Sequence, residues 1–202
     1  MKLYFARHGT TKWNDDGRLQ GRKDSDLTEE GIYRAIQLRS KLAHVNFDFV
    51  YSSPQNRALE TAKIFIGNKD TKIITHESLS EIGLGIWEGM KVSKIESDFP
   101  KEYHSYKYNP ENYKPLGGES FEDLFMRVQL FLDEIKILDA ENIMVITHGV
   151  TIKALLAIIK GLSLKEFPNI PVYTGTALNI CECSKDKIEL LIEGDTSHIH
   201  DL

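Results

Sequence analysis

Hydrophobic positions in the first third of the chain fall into short runs separated by stretches of helical spacing. Leu3 to Ala6 is a compact apolar run, and Thr28 to Leu42 carries its apolar residues on a helical period. Phe47 to Tyr51 is short again, and Pro54 to Ile66 returns to the helical pattern. Short buried runs read as strands and the 3.6-residue period as amphipathic helices, which gives the order βαβα. That order implies a parallel or mostly parallel sheet with helices on its faces. Two helix starts are marked: Thr28 as an N-cap, with Leu27 and Ile32 placed as a hydrophobic staple, and Ser53 as a cap ahead of a first-turn Pro54. Further on, Phe121, Leu124, Phe125, Val128, Phe131, Leu132, Ile135 and Leu138 predict one long helix facing the sheet. Asn142 to Thr147 reads as a buried strand and Val150 to Ile159 as a helix. Ala177 to Cys183 and Ile188 to Ile192 read as a closing strand pair, so parallel and antiparallel strands are expected to mix at one edge. Between Met90 and Glu119 the period is lost and Tyr, Lys, Pro and Gly accumulate; we read this as an irregular, lid-like insertion.

Length and charge narrow the class. At 202 residues the chain can bury a sizeable core, and it is read as one domain over 1–202 with the insertion at about 90–119. There are 25 Lys and Arg against 30 Asp and Glu, a net charge of −5, which argues against nucleic acid or an acidic membrane as partner. An anionic small-molecule substrate would then need a local cluster of cations. The two cysteines, Cys181 and Cys183, lie two apart in a strand-like run, share a face and sit poorly for a mutual disulfide, which fits a reducing cytoplasm. The first apolar stretch is too short for a signal peptide, and no run reaches the roughly 20 apolar residues of a membrane span. A homodimer is compatible with all of this.

A short motif recurs. Arg7-His8-Gly9-Thr10-Thr11 closes the first strand and Thr147-His148-Gly149-Val150-Thr151 closes a later one. In open α/β sheets ligands bind at the carboxyl ends of the strands, and glycine after each histidine lets backbone and ligand approach. Two histidines could thus meet in one pocket, whereas a single His-Gly pair would more often be a structural strand end. Arg7 and Arg57 supply the cations a phosphate needs, with Arg57 near the start of a helix whose free N–H groups also favour anions. Taken alone, an arginine in the place of Arg57 is more often a solvated helix residue, here pairing with Glu60.

Arg7-His8-Gly9-Thr10, Asn14, Ser52-Ser53 leading to Arg57-Ala58-Leu59-Glu60-Thr61-Ala62, Glu81 with Gly85-x-Trp87-Glu88-Gly89, and Thr147-His148-Gly149 occur in the order seen in the histidine phosphatase superfamily. The chain resembles the phosphoglycerate mutase branch of that superfamily over nearly its whole length. Within the branch it is similar to the broad-specificity and α-ribazole phosphatases, through Gly-x-Trp-Glu-Gly, Pro115 to Ser120 and the closing Glu193-Gly194-Asp195-x-Ser197-His198. The resemblance implies a three-layer α/β/α sandwich with a mostly parallel central sheet. It also implies hydrolysis of phosphate monoesters of small metabolites through a phosphohistidine, without metal or other cofactor.

Carried over position by position, the resemblance makes His8 the nucleophile, Arg7, Arg57 and His148 the phosphate pocket, and Glu81 the proton donor and later the base. A neutral imidazole can attack phosphorus and split one hard displacement into two, while positive charge neutralises the equatorial oxygens. The residues alone leave Glu81 and Glu88 as rivals; the resemblance selects Glu81 and leaves Glu88 as a turn partner. Asn14 and Gln20 resemble substrate-binding positions, although loop polar residues also serve turn backbone. Tyr103, His104, Tyr106, Tyr108 and Tyr113 could wall the organic part of a substrate or pack over the core. His198 and His200 offer too few further ligands for a metal site. A phosphoglycerate mutase, or a non-catalytic phospho-ligand-binding module on the same fold, is the alternative; the length favours a phosphatase, and the complete residue set argues against a module without turnover.

Overall fold

A computed structural model describes residues 1–200. Its centre is a six-stranded sheet of order β3-β2-β4-β1-β5-β6. The strands are β1 (Lys2–Arg7), β2 (Phe49–Ser52), β3 (Ile73–Thr75), β4 (Asn142–Thr147), β5 (Leu178–Cys183) and β6 (Ile188–Asp195). Pairs β1·β4, β2·β4 and β2·β3 are parallel, while β5 and β6 add antiparallel strands at one edge.

The two central strands explain the layers. In β1, Leu3 and Phe5 face one apolar cluster and Tyr4 and Ala6 the other; in β4, Ile143 and Val145 oppose Met144 and Ile146 in the same way. A strand buried on both faces must be covered twice, which is why these runs read as continuously apolar. Helices α6 (Phe121–Lys136) and α7 (Gly149–Lys160) cover the first face. Helices α2 (Glu29–Lys41) and α3 (Asn56–Ile66) cover the second, through Leu38, Ala58, Ala62 and Phe65. The architecture is therefore the expected α/β/α sandwich. A short helix α1 (Lys12–Asp15) follows the first strand, closed by a capping box between Thr11 and Asn14.

Two expectations are corrected. The stretch 90–119 is not irregular: it forms α4 (Val92–Asp98) and α5 (Pro100–Tyr108), the second begun by a first-turn proline. Its low amphipathic signal follows from what it packs on. Tyr103, Tyr106 and Tyr113 surround Trp87 at ring separations of 5.8–6.1 Å, so aromatic rather than aliphatic residues mark the inner face. Ser53 is also not the cap of α3. The helix starts at Asn56 with Gln55 at the N-cap position, and Gln55 makes no side-chain cap bond. The Asp24 carboxylate, from a loop distant in sequence, accepts from the backbone N–H groups of Asn56 (2.9 Å) and Arg57 (3.2 Å) instead. Cys181 and Cys183 are buried, free thiols on one face of β5.

Candidate active site

Strands β1 and β4 are neighbours in register, Arg7 beside Thr147, so the residues that follow each strand emerge side by side. The rings of His8 and His148 come to 5.2 Å between centroids. A cleft of about 250 Å³ opens here, lined by Arg7, His8, Asn14, Gln20, Arg57 and Glu81 together with Arg18, Leu19, Ile82, Leu84, Tyr106, Val150 and Val172. Of the seven side chains singled out in the sequence, six line it. His148 is the exception: it is fully buried behind the cleft, which Gly149 lines in its place.

The hydrogen bonds of His8 define its tautomer. Nδ1 lies 2.7 Å from the Gly9 carbonyl, which can only accept, so Nδ1 carries the proton. The Arg57 Nε–H donates to His8 Nε2 at 3.2 Å, so Nε2 presents a lone pair. Burial, then the positive charges of Arg7 and Arg57, push the His8 pKa well below 6.5. His148 is lowered likewise, first by burial and then by Arg57 and His8. Both imidazoles are therefore neutral. His148 Nε2 pairs with Ser53 Oγ at 2.7 Å, and its buried Nδ1 has no hydrogen-bond partner among the described residues.

The guanidiniums are held from behind. Arg57, 1% exposed, pairs with Asp24 at 2.8 Å and donates to the carbonyls of Lys23 (2.6 Å) and Gly21 (2.9 Å). Arg7 donates through Nη1 to the Tyr173 carbonyl at 3.2 Å, while its buried Nε is unpartnered among the described residues. A Cβ on Gly149 would be in ordinary contact with that Nε, at 3.5 Å, and tighter against Val172 Cγ1, at 3.0 Å. Burial lowers the pKa of both arginines and is opposed by Glu81 at Arg7 and by Asp24 and then Glu81 at Arg57. A partly buried cluster of cations with unused donors is what binds an oxyanion tightly.

Glu81 stands at the amino end of α7. Its carboxylate accepts from the backbone N–H groups of Ile82 (3.0 Å), Val150 (3.1 Å) and Thr151 (3.2 Å) and from the Thr151 hydroxyl (3.2 Å). A helix N-terminus fixes a carboxylate in this way through its free N–H groups. Glu88 does not line the cleft; it accepts from the backbone N–H groups of Arg22 (2.9 Å) and Leu84 (3.0 Å), tying two loops together. Asn14 spends its Oδ1 on the Thr11 backbone N–H (3.1 Å) and hydroxyl (3.0 Å), which leaves its amide nitrogen for a ligand. Gln20 donates to Thr11 Oγ1 at 2.9 Å. Among the aromatics of 90–119, Tyr106 alone lines the cleft.

Sequence reasoning missed Arg18, Asp24, Gln55 and Thr61. Arg18 was the accessible one, a cation in the same loop as Asn14 and Gln20. Thr61 accepts from the Gly9 N–H at 3.0 Å and donates to the Arg57 carbonyl at 2.7 Å, which clamps α3 to the His8 turn. No local pattern distinguishes Asp24 or Gln55 from ordinary polar residues, and Thr61 stands in the motif that opens with Arg57 without a role of its own.

Among the described residues no group of three or more His, Cys, Asp or Glu side chains is placed to hold a metal, and no helix is long and apolar enough to cross a membrane. The family model described as histidine phosphatase superfamily (branch 1) matches residues 3–196. Phosphoserine phosphatase 1 of Hydrogenobacter thermophilus is 32% identical over 168 residues, 83% of this chain and 80% of that protein. The adenosylcobalamin/alpha-ribazole phosphatase of Salmonella typhimurium is 28% identical over 185 residues, 90% of this chain and 92% of that protein. Other matching relatives carry the name phosphoglycerate mutase. The solved structure of Bacillus stearothermophilus YhfR superposes with a TM-score of 0.94 at 37% identity, covering 98% of this chain and 99% of that one.

Proposed function

The chain belongs to branch 1 of the histidine phosphatase superfamily and is a phosphatase, and we propose that it hydrolyses phosphate monoesters of small metabolites through a phosphohistidine on His8. The observation that carries this reading is the state of His8: a neutral ring lining the cleft, with an unprotonated Nε2 that accepts only the exchangeable Arg57 Nε–H at 3.2 Å. In the first step Nε2 forms a bond to phosphorus as the ester P–O bond breaks. Arg7 and Arg57 neutralise charge on the equatorial oxygens, and Glu81 gives a proton to the departing oxygen. In the second step the Glu81 carboxylate takes a proton from water, the water oxygen attacks phosphorus, and the P–N bond breaks to release phosphate and the neutral ring. His148 supports the pocket from behind His8. The names of the relatives make phosphoserine and α-ribazole phosphate the first substrates to try. Buried free thiols at Cys181 and Cys183 favour a reducing compartment such as the cytoplasm, and the residues 1–202 are taken as one domain.

Brief exposure to a labelled phosphate ester should leave acid-labile label on the protein, and His8→Ala should remove it. Label on a serine or aspartate instead would overturn the mechanism. Activity should survive EDTA, because arginines here supply the charge that other phosphatases take from metals. Return of the label to an acceptor hydroxyl, in place of free phosphate, would make the protein a mutase.

A further inference from the structure

Gln55 occupies an unusual place for an N-cap residue. It precedes α3 but does not cap it, since Asp24 does. Its side chain, in a residue 8% exposed, reaches sideways into three loops. Oε1 accepts the Glu81 backbone N–H at 2.7 Å and the Ser53 hydroxyl at 3.3 Å. Nε2 donates at 2.6 Å to the Gly21 carbonyl, which also receives Arg57 Nη2 at 2.9 Å. Ser53 in turn holds His148 Nε2 at 2.7 Å. One amide therefore touches the loop that carries Glu81, the partner of the second histidine, and the acceptor of the phosphate-binding arginine. It does not line the cleft.

We propose that Gln55 is a positioning residue that sets Glu81 against the His8–Arg57 phosphate cradle, so that the acid meets the leaving oxygen. The proposal rests on the acid role given above to Glu81. The physical reason lies in the loop Ser80 to Ile82. The Glu81 carboxylate is aimed by α7, on one side of the cleft, whereas its backbone is tied through Gln55 to α3 and Gly21, on the other side. Removing the amide leaves the partly buried Glu81 N–H without its acceptor, and the loop shifts to find another. The phosphate cradle keeps its own supports, because Arg57 is still held by Asp24 and the Lys23 carbonyl. A displacement of the acid alone costs most where protonation of the leaving group matters most.

The test compares Gln55→Leu, Gln55→Glu and Glu81→Gln by rapid-quench measurement of the phosphorylation step, with p-nitrophenyl phosphate and with an unactivated alkyl phosphate, alongside orthovanadate binding. Gln55→Leu should slow the alkyl ester about 10- to 100-fold more than the aryl ester, as expected for a group misplaced by about an ångström, with vanadate affinity little changed. Gln55→Glu keeps an acceptor for the Glu81 N–H but turns a carboxylate on the Gly21 carbonyl. It should recover most of the alkyl-specific loss and weaken vanadate binding. If Gln55→Leu slows both esters equally, or neither, while Glu81→Gln shows the alkyl-specific loss, Gln55 only packs and the proposal falls alone. If Glu81→Gln shows no such preference, the acid assignment itself fails and takes this proposal with it. Should Gln55→Leu not fold, Gln55→Met, closer in shape, is read by the same criteria.

Discussion

His8 and His148 are two neutral bases beside two buried cations, and their titration has a sign that can be worked out. Burial and the charges of Arg7 and Arg57 hold both rings well below 6.5 in the folded chain. The unfolded chain binds protons at about 6.5, so above that pH the two states differ little at these sites. As the pH falls below 6.5 the unfolded state takes up protons that the folded state refuses, and stability drops until the depressed folded values are reached. In phosphate-free buffer the wild type should therefore lose thermal stability between pH 7.5 and 5.5. A His148→Gln variant should lose visibly less, although His198, which burial also lowers, keeps part of the slope. Equal losses in the two proteins would mean that His148 is not a buried neutral base. The same residue-scale chemistry explains what was readable beforehand. A histidine, an arginine and a glycine at a strand end identify themselves by type, whereas Gln55 and Asp24 gain their roles from partners 26 and 33 residues away.

The elements around the site are fixed by close backbone approach. A Cβ on Gly31, in the first turn of α2, would meet the backbone oxygen of Thr10 and lie 2.8 Å from its nitrogen; one on Gly9 would meet the Gly31 oxygen at 2.5 Å. The Thr28 N–H also donates to the Thr10 carbonyl at 2.9 Å, so α2 is locked directly onto the turn after His8. Read as a helix position alone, Gly31→Ala should gain about 0.4–1 kcal/mol from the reduced freedom of the unfolded chain. The tertiary contact reverses the sign, because backbone atoms cannot yield as a flexible side chain could, and overpacking of this kind costs about 1–3 kcal/mol. Urea unfolding should thus show Gly31→Ala to be less stable than the wild type. A stability gain would show that α2 and the His8 turn move apart freely. Helix α5 escaped notice for a related reason: its inward face is set by Tyr103 and Tyr106 packing on Trp87, which aliphatic periodicity does not mark.

At the scale of the molecule, one apolar cluster joins the sheet to the segment after Trp87. Leu3, Phe5, Val145, Trp87, Ile95, Tyr113 and Phe121 belong to it together. If 1–202 is one cooperative unit, tryptophan fluorescence, reporting Trp13 and the fully buried Trp87, should change with denaturant together with far-ultraviolet circular dichroism. A fluorescence transition clearly ahead of the loss of secondary structure would make 90–119 a separately unfolding lid. The net charge of −5 takes on meaning at this scale too. Arg7, Arg18 and Arg57 are gathered into one cleft, so the positive field is local while the surface as a whole stays acidic.

The sequence by itself determined the alternation of strands and helices, the antiparallel edge, and the residue types gathered at the strand ends. These depend on local period and on chemical identity, which are properties of a few neighbouring residues. It also pointed, through the order of its motifs, to the family. Only the tertiary structure decided which strands lie side by side, and so that the two histidines face each other across β1 and β4. It alone placed Asp24 as the cap of α3, Gln55 between the Glu81 N–H and the Gly21 carbonyl, and Gly31 against the turn after His8. Contacts of that kind are made between segments far apart in the chain, and their energies depend on distances that no local pattern encodes.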